Sequence, residues 1–470
     1  LMTTFFGTPY IDIRIDFNSW LPKKLEKETQ IKIVNYYLKQ FEKNLNSHDK
    51  IEKDIIFSCY NFSSKEKIKD KLAKVLTDNE MKKFISSLKE INGNALYEKN
   101  KDLNKIFLLL KKQYSLEKSK LYFIDKIYWH TEECKHYGTL PFAGLARCGF
   151  IAMDLLNSFV EKKIFNNEDR DNLLQSIKTV SSEINSDLIK LNKRDFLRKH
   201  GHIRPNTYEI TSKNYNEGYN NYFNTNKNSF KKTKFHFKLS KLHIKKIRKF
   251  IKKSKIYKTP EELIKFIKSS IQAREFSKYV FSKSINYIFE NLEKFGKKYG
   301  IHKKDLSYLD FQEVLKLYFN LSSLDAIPKI KDVIKKNKKE YLVNSRINLP
   351  DIIINKKDIY IQKIQAGTPN FVTNKKVTGE KIFLKEIGKK LNLNDKVICI
   401  ENADPGYDFI FSYSIKGLIT QFGGYNSHMA IRCSELNIPA VIGVGEKIFM
   451  SLRNCNTVNI DCKNKKIDTL

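Results

Sequence analysis

The hydrophobic pattern of this chain changes near residue 360, and that change constrains the fold more than any other feature. Before it, apolar residues recur at intervals of three and four from Leu25 to about Lys118, which is the period of amphipathic helices, and later segments also have helical patterns. After about residue 350, short β-rich runs alternate with Gly, Pro, Asn and Asp turns. We therefore expect a multidomain α+β fold, with a mostly helical central domain over residues 1–359 and a small α/β domain over residues 360–470. The β-rich runs are Ile352 to Ile354, Ile359 to Ile361, Val397 to Ile400, Gly417 to Thr420, Ala440 to Gly443 and Val458 to Ile460.

Local patterns predict elements within the first domain. Ile11 to Phe17 alternate with charged or polar residues, which predicts a half-buried strand. Leu25 to about Lys118 predicts a series of amphipathic helices, and Thr259 followed by Pro260 predicts a helix start. A Gly-Thr-Leu-Pro-Phe turn at 138–142 should precede a helix that is buried on nearly all sides, from Ala143 to Val160.

The charge of the chain is strongly positive. Lys and Arg number 87 against 52 Asp and Glu, a net charge of +35 that would attract nucleic acid, anionic membrane surfaces or phosphorylated substrates. Only 11 of these basic residues are Arg, and the chain is also rich in Ile, Asn, Phe and Tyr, as expected of an A+T-rich coding sequence. We assign most of the charge to that bias and keep a basic nucleic-acid-binding protein as the weaker alternative.

The cysteines and the apolar runs indicate the compartment. Seven scattered cysteines without a CxxC pair predict neither a disulfide framework nor a zinc ribbon, and they fit a reducing cytoplasm. The spacing of His130, Cys134 and His136 matches no usual zinc site, so we expect no metal there. No run approaches the roughly 18 to 20 uncharged apolar residues of a membrane span, and the unusual start Leu1-Met2 suggests a fragment or an interrupted reading frame.

The segment Gly417 to Gly443 predicts a strand, a turn at Gly423-Gly424, a helix from about Ser427 and a second strand. Ser427 or Asn426 would cap the helix, so that His428 falls in its first turn. There the helix dipole should lower the tendency of the imidazole to protonate and stabilise an attached phosphoryl group. The glycines would let the backbone approach a phosphate closely. His428 is thus a candidate nucleophile, and the alternative is an ordinary helix-start residue.

Two other segments carry candidate ligand-binding residues. In Lys199 to Ile210, Arg204 could clamp a phosphate or carboxylate, and His202 could act as a general base, although an ordinary polar loop would look the same. Arg147 lies on an otherwise apolar helix, where it is either part of a structural ion pair or a substrate contact.

The segment around His428 resembles the phosphohistidine, or swivelling, domain of phosphoenolpyruvate-utilising enzymes, such as phosphoenolpyruvate synthase, pyruvate phosphate dikinase and rifampin phosphotransferase. The resemblance implies that His428 is the phosphoryl carrier. The sequence differs from the family pattern at Asn426, where many members have Thr. The segment around Arg204 resembles part of the central domain of the same proteins, which favours Arg204 and His202 as acceptor-site residues. The pattern positions present here are Gly423, Gly424, Ser427, His428, Ala430, Ile431, Glu435, Leu436, Ile438, Pro439, Ala440, Val441 and Gly443.

Across most of the chain, the sequence is similar to synthase-like proteins of surface-polysaccharide gene clusters, among them the L-glutamine kinase type of capsule phosphoramidate synthesis. That resemblance implies conversion of ATP, L-glutamine and water to L-glutamine phosphate, AMP and phosphate. Such enzymes begin with an ATP-grasp domain, whereas this sequence has no P-loop or other glycine-rich phosphate cradle. We therefore expect ATP and Mg²⁺ to bind on an upstream ATP-grasp domain or subunit, outside this chain. A non-catalytic fragment or partner subunit of a split enzyme is the alternative.

Overall fold

The computed structural model describes two kinds of architecture in one chain, a large helical unit followed by a small sheet unit. Element bounds are those of the described residues, which are 2–45, 54–223, 237–320, 325–347, 349–360, 369–384, 392–424 and 427–469.

The N-terminus forms a hairpin and a helix, where the alternating pattern predicted one strand. Strands β1 (Met2–Phe5) and β2 (Thr8–Ile11) pair antiparallel, and helix α1 (Ile13–Ser19) follows directly. The prediction was wrong from Ile13 onward because Asp12 caps a helix there and accepts a hydrogen bond from the Ile15 amide at 3.1 Å. Only Phe17 of the alternating apolar residues in that helix is buried.

Helices form the rest of the described chain up to residue 344, as the three-and-four spacing predicted. The helix start predicted at Thr259 is confirmed, since the Thr259 hydroxyl accepts from the Glu262 amide ahead of Pro260. Thr77 and Glu80 form a capping box at the start of another helix. The helices are α2 (Lys27–Glu42), α3 (Ser64–Leu72), α4 (Asp78–Lys118), α5 (Phe123–Cys134), α6 (Leu140–Glu161), α7 (Asn167–Gln175), α8 (Val180–Lys190), α9 (Lys193–His200), α10 (Tyr215–Tyr222), α11 (Lys241–Ser254), α12 (Pro260–Tyr299), α13 (Lys303–Leu306), α14 (Phe311–Asn320) and α15 (Ala326–Asn344).

The turn predicted at 138–142 is instead part of a continuous helix. A π-helical segment, Lys135–Thr139, joins α5 to α6. Pro141 lacks an amide hydrogen and would crowd a regular helical turn, and the wider π turn just before it relieves that conflict. The buried helix predicted from Ala143 to Val160 lies within α6.

One helical stretch among the described residues, Phe123–Glu161, is long and apolar enough to cross a membrane. Half of its most apolar window is buried inside the protein. A core helix meets the same criteria, so the stretch is only weak evidence for a membrane segment.

The sheet unit has seven strands in the spatial order β3-β7-β6-β5-β4-β8-β9. The four central strands are mutually parallel, and the outer strands β3, β8 and β9 run antiparallel to their neighbours. The strands are β3 (Asn370–Val372), β4 (Lys376–Phe383), β5 (Val397–Asn402), β6 (Gly417–Phe422), β7 (Ala440–Ile442), β8 (Thr457–Asp461) and β9 (Lys466–Thr469), and helices α16 (His428–Glu435) and α17 (Gly445–Ser451) connect them.

The β-rich runs from residue 397 onward are strands, but those proposed before residue 361 are not. Ile352 to Ile354 form no strand, and Lys356–Ile359 is a 3-10 turn. Ile361 lies outside the described residues. The domain boundary between residues 359 and 360 remains a prediction, and the sheet itself begins at Asn370.

The two faces of the sheet pack into different cores. On β5, Val397 and Cys399 contribute to a cluster made entirely of residues from the sheet unit. The alternate residues, Ile398 and Ile400, contribute to a second cluster that also contains Ile184, Phe196, Ile203, Tyr215, Tyr222 and Phe223 of the helical unit. Because successive strand residues point to opposite faces, one face belongs to the sheet unit alone and the other is shared.

Candidate functional site

Helix α16 begins at His428, as the sequence predicted. The Ser427 hydroxyl caps it by accepting a hydrogen bond from the Ala430 amide at 3.3 Å. Gly423 directly follows β6 with φ +131°, and a Cβ on it would lie 2.8 Å from the Ala403 Cβ. The turn therefore requires glycine at this position. Asn426, the alternative cap, lies outside the described residues.

The His428 imidazole is held by groups from three other elements. Its Nε2 atom lies 2.7 Å from Asp408 Oδ1, on the 3-10 segment Pro405–Ser412, and 2.9 Å from the Ser181 hydroxyl on α8. Its Nδ1 atom lies 4.0 Å from Glu275 Oε1 on α12. His428 thus bridges the two units of the fold.

These neighbours change the protonation of His428. Burial by itself lowers the pKa of His428, but the charge and hydrogen bond of Asp408 and the charge of Glu275 outweigh it and raise the pKa. The reciprocal effect lowers the pKa of Asp408, although burial opposes it. The helix end was expected to lower the tendency of this imidazole to protonate, but the net pKa is raised, because the two nearby carboxylates outweigh the effects that oppose protonation.

His428 lines a cavity of about 330 Å³ between the two units. The cavity also brings together Ser427, His202 and Arg204, which the sequence placed far apart. Its walls come from α6, α7, α8, α12, α16 and the loops around residues 204 and 405. Small-molecule sites in proteins have volumes of this order.

His202 is a poor candidate for the predicted role of general base. It is buried, and its Nε2 atom lies 3.2 Å from the Tyr279 carbonyl oxygen, to which it must donate. Burial, together with the charge of Lys283, lowers the pKa of His202 to about 3. A base with so low a pKa takes up protons weakly at neutral pH.

Arg204 is engaged by the protein itself. Its Nη1 atom donates to the Ser212 carbonyl at 3.1 Å, and its Nη2 atom donates to Asn286 Oδ1 at 2.6 Å. Its Nε atom is buried without a hydrogen-bond partner among the described residues. These hydrogen bonds are typical of an arginine that stabilises a loop. Arg204 would have to break them in order to bind a ligand as predicted.

The remaining predicted residues lie outside the cavity lining. Arg147 donates to the Trp20 carbonyl at 3.1 Å and packs over the Trp20 ring. Gly423 and Gly424 are also absent from the residues that line the cavity. Their predicted roles in substrate or phosphate binding remain predictions.

The structure adds two cations that the sequence reasoning missed, Arg274 and Lys278, which we call the cation pair. They lie one turn apart on α12 and both line the cavity. Within the described part of the chain, neither side chain makes a hydrogen bond or an ion pair; Arg274 packs over the Phe150 ring. Burial lowers the pKa of both groups. The sequence feature that could have identified them is two positive charges four residues apart among the apolar residues of one helix.

No group of three or more His, Cys, Asp or Glu side chains that could hold a metal ion occurs among the described residues. The charged groups of the cavity lining are three cations, two carboxylates and the imidazole of His428. They come from Arg204, which is engaged by the protein itself, and from Arg274, Lys278, Glu275, Asp408 and His428. Such a set can bind a phosphoryl group next to a nitrogen nucleophile and can accept a proton beside it.

A short loop of the sheet unit, Asp404 to Gly406, which we call the docking loop, lies on the loop that contains Arg204. The Thr207 hydroxyl donates to the Asp404 carboxylate at 3.1 Å, and the Tyr215 hydroxyl donates to the Gly406 carbonyl at 3.1 Å. Gly406 lies so close to the Arg204 carbonyl group that a Cβ would overlap it. The contact therefore requires glycine.

The fold and the site define a helical unit with a docked sheet domain that presents a histidine to a cavity. Residues 393–465, which contain His428, match the family described as PEP-utilising enzyme, mobile domain. This match supports a phosphotransferase that carries its phosphoryl group on histidine, and it covers 73 of the 470 residues. A search of curated proteins finds no match to the chain.

The pH dependence of stability tests the His428–Asp408 pair. The raised pKa of His428 stabilises the fold below about pH 6.5, and this contribution is lost as the pH rises through the folded-state pKa. The lowered pKa of Asp408 stabilises the fold above about pH 3.8, and this contribution is lost as the pH falls through its folded-state pKa. We expect Asp408→Asn to lower the free energy of unfolding by about 1.5–3 kcal/mol at pH 5.5 and by less at pH 8.5.

Urea denaturation at the two pH values measures this difference. Asp70→Asn, on the exposed side of α3, is the control and should show no such pH dependence. Equal stability of Asp408→Asn and the parent protein at pH 5.5 would contradict the pairing.

The docking loop gives a second prediction. Gly406→Ala should separate the two units, because the added methyl group overlaps the Arg204 carbonyl and moving the sheet unit away relieves the clash. Hydrogen exchange should become at least tenfold faster in residues 203–208 and 404–408. Gly424→Ala is the matched control, since its Cβ would meet nothing within 4 Å. Unchanged exchange in Gly406→Ala would show that the contact does not hold the units together.

Proposed function

We propose that this chain is a phosphotransferase component in which His428 carries a phosphoryl group from ATP or PEP to a small acceptor bound in the cavity. The observation that carries the proposal is that His428 lines the same cavity as the cation pair, whose side chains make no hydrogen bond or ion pair with any residue that the structure describes. Two partly buried cations beside a nucleophilic nitrogen are suited to a phosphoryl group, whose negative charge they would neutralise.

The first step forms a bond between a ring nitrogen of His428 and phosphorus while the bond from phosphorus to the donor's leaving oxygen breaks. The ring must attack unprotonated, so loading requires the His428–Asp408 pair to release a proton. In the second step an acceptor oxygen attacks phosphorus and the nitrogen–phosphorus bond breaks. Glu275, which lines the cavity beside His428, would accept the acceptor's proton.

We propose that the donor site lies on a separate ATP-grasp domain or subunit, which would bind ATP and Mg²⁺ and provide the phosphoryl group. The sheet domain would travel between that site and the cavity, as a swivelling carrier does. Dividing the transfer between two sites replaces one difficult step with two easier ones. The location we propose for the whole system is the cytoplasm.

The acceptor is a separate question. L-Glutamine in capsular phosphoramidate synthesis is the candidate that the resemblance to L-glutamine kinases raises. Glu275 could pair with its ammonium group, while the cation pair holds the phosphoryl group. A product screen with protein that is phosphorylated on His428 would decide between glutamine and other acceptors.

Chemical phosphorylation tests the carrier without any partner domain. Phosphoramidate transfers a phosphoryl group directly to histidine, and peptide mapping locates the acid-labile adduct. We expect His428 to be labelled faster than the exposed His136, whose side chain is 68% accessible, because the cation pair attracts the anionic reagent and stabilises the developing charge. His428→Ala should remove the main adduct.

A matched pair of lysine variants refines this test. Lys278→Met should slow labelling of His428 by roughly tenfold to a hundredfold and leave labelling of His136 unchanged. Lys297→Met, an exposed position on the same helix, should label like the parent. Labelling of His428 that is slower than that of His136, and indifferent to Lys278, would sink the proposal. Labelled PEP, or β-phosphate-labelled ATP with the partner domain, then identifies the donor.

A further inference from the structure

Six of the apolar, non-aromatic side chains that line the cavity together form what we call the apolar wall. It comes from α6, α7, α8, α12 and the connection between α7 and α8, and none of its side chains carries a hydrogen-bond donor or an oxygen or nitrogen acceptor. Its members are Met153, Leu174, Ile177, Val180, Ile184 and Ile271.

The apolar wall belongs to well-packed parts of the fold. Met153, Leu174, Ile177 and Ile271 are members of one buried core cluster, and Ile184 belongs to the cluster shared with the sheet unit. Side chains fixed in this way present a preformed surface. Ser181, the polar cavity residue of α8, is engaged with His428.

A polar ligand body against this wall would lose hydrogen bonds to water and gain none from the wall's side chains. That loss costs about 1–3 kcal/mol for each unsatisfied group. An apolar body of similar size would gain free energy by leaving water. The wall thus discriminates against a free polar amino acid such as glutamine and favours an aliphatic or aromatic body.

We propose that the acceptor is amphipathic, with a hydroxyl group beside His428 and an apolar body against the apolar wall. This inference rests on the function proposed above and narrows its substrate class. The volume of about 330 Å³ suits a small molecule, since it lies at the lower end of the range for ligand sites.

The transfer step then has a defined product. The acceptor oxygen forms a bond to phosphorus, the nitrogen–phosphorus bond of His428 breaks, and the hydroxyl proton passes to Glu275. The product is a phosphate monoester with an apolar body, so simple alkyl phosphates are product analogues. Their head group would bind the cation pair and their chain would lie along the wall.

A homologous series tests this inference by isothermal titration calorimetry on the unmodified protein. The ligands are inorganic phosphate and the n-alkyl phosphates from methyl to hexyl. We expect affinity to rise by about fourfold for each added methylene until the wall is covered. Glycerol phosphate is the matched polar control for propyl phosphate, and it should bind at least tenfold more weakly.

Two variants test which part of the site binds each end of the ligand. Val180→Thr keeps the shape of the side chain and adds a hydroxyl group, so it should reduce the gain per methylene but leave the affinity for inorganic phosphate unchanged. Lys278→Met should weaken every member of the series by a similar factor, because it removes a charge from the head-group site.

The outcomes separate this inference from the carrier proposal. Affinity that does not depend on chain length, or glycerol phosphate binding as tightly as propyl phosphate, would overturn the amphipathic acceptor even if His428 is labelled. A chain-length gain without labelling of His428 would support the amphipathic site and contradict the carrier. Binding of glutamine more tightly than hexyl phosphate would return the acceptor to the amino acid class.

Discussion

The apolar cluster shared by the sheet unit and the helical unit is the interaction on which the site depends. Residues such as Phe196, Tyr215 and Tyr222 pack with Tyr407 and Phe409, and the Tyr222 and Phe409 ring centroids are 4.8 Å apart. This packing holds the 3-10 segment that carries Asp408 and the start of α16 against α8 and α12. Without it, neither Ser181 nor Glu275 would lie near His428, and the cavity would lack one of its walls.

In the carrier role that we propose for His428, the charges around the imidazole are those of the unphosphorylated state. Asp408 and Glu275 favour a protonated imidazole, which is not a nucleophile, and both carboxylates would repel a phosphoryl group. The cation pair opposes that repulsion from α12 of the helical unit. Under the proposed function, a phosphoryl group on His428 would be repelled by the two carboxylates and attracted by the cation pair, so phosphorylation would change the electrostatic energy of the docked arrangement.

The sequence predicted His428 and its cap because glycines, a capping residue and the following strand lie within one continuous segment. Its partners were not predictable in the same way. Ser181, Glu275 and the cation pair come from helices far away in the chain, and periodicity identifies the buried face of a helix without identifying what packs on it. The same limit explains Arg204, whose polar loop looked like a ligand clamp although its guanidinium is engaged by Ser212 and Asn286.

The wrong predictions of secondary structure each have a cause in one nearby residue or turn. The alternation from Ile11 to Phe17 is compatible with a strand, but one aspartate side chain was enough to start a helix at Ile13. The proline at 141 suggested a turn, and a single wide helical turn accommodated it instead. Fold class was more robust, since it depends on the period of many residues and not on any one of them.

The two faces of the sheet pack against different parts of the protein. Val441, Phe449 and Val458 lie in the core that the sheet unit keeps to itself, whereas Ala440 and Ile442 face the cluster it shares with the helices. If the sheet unit undocks as the proposed function requires, it can stay folded, because one of the two cores that its faces form consists of its own residues. Undocking would expose the apolar residues of the other face to water, and the undocked state would therefore be prone to self-association.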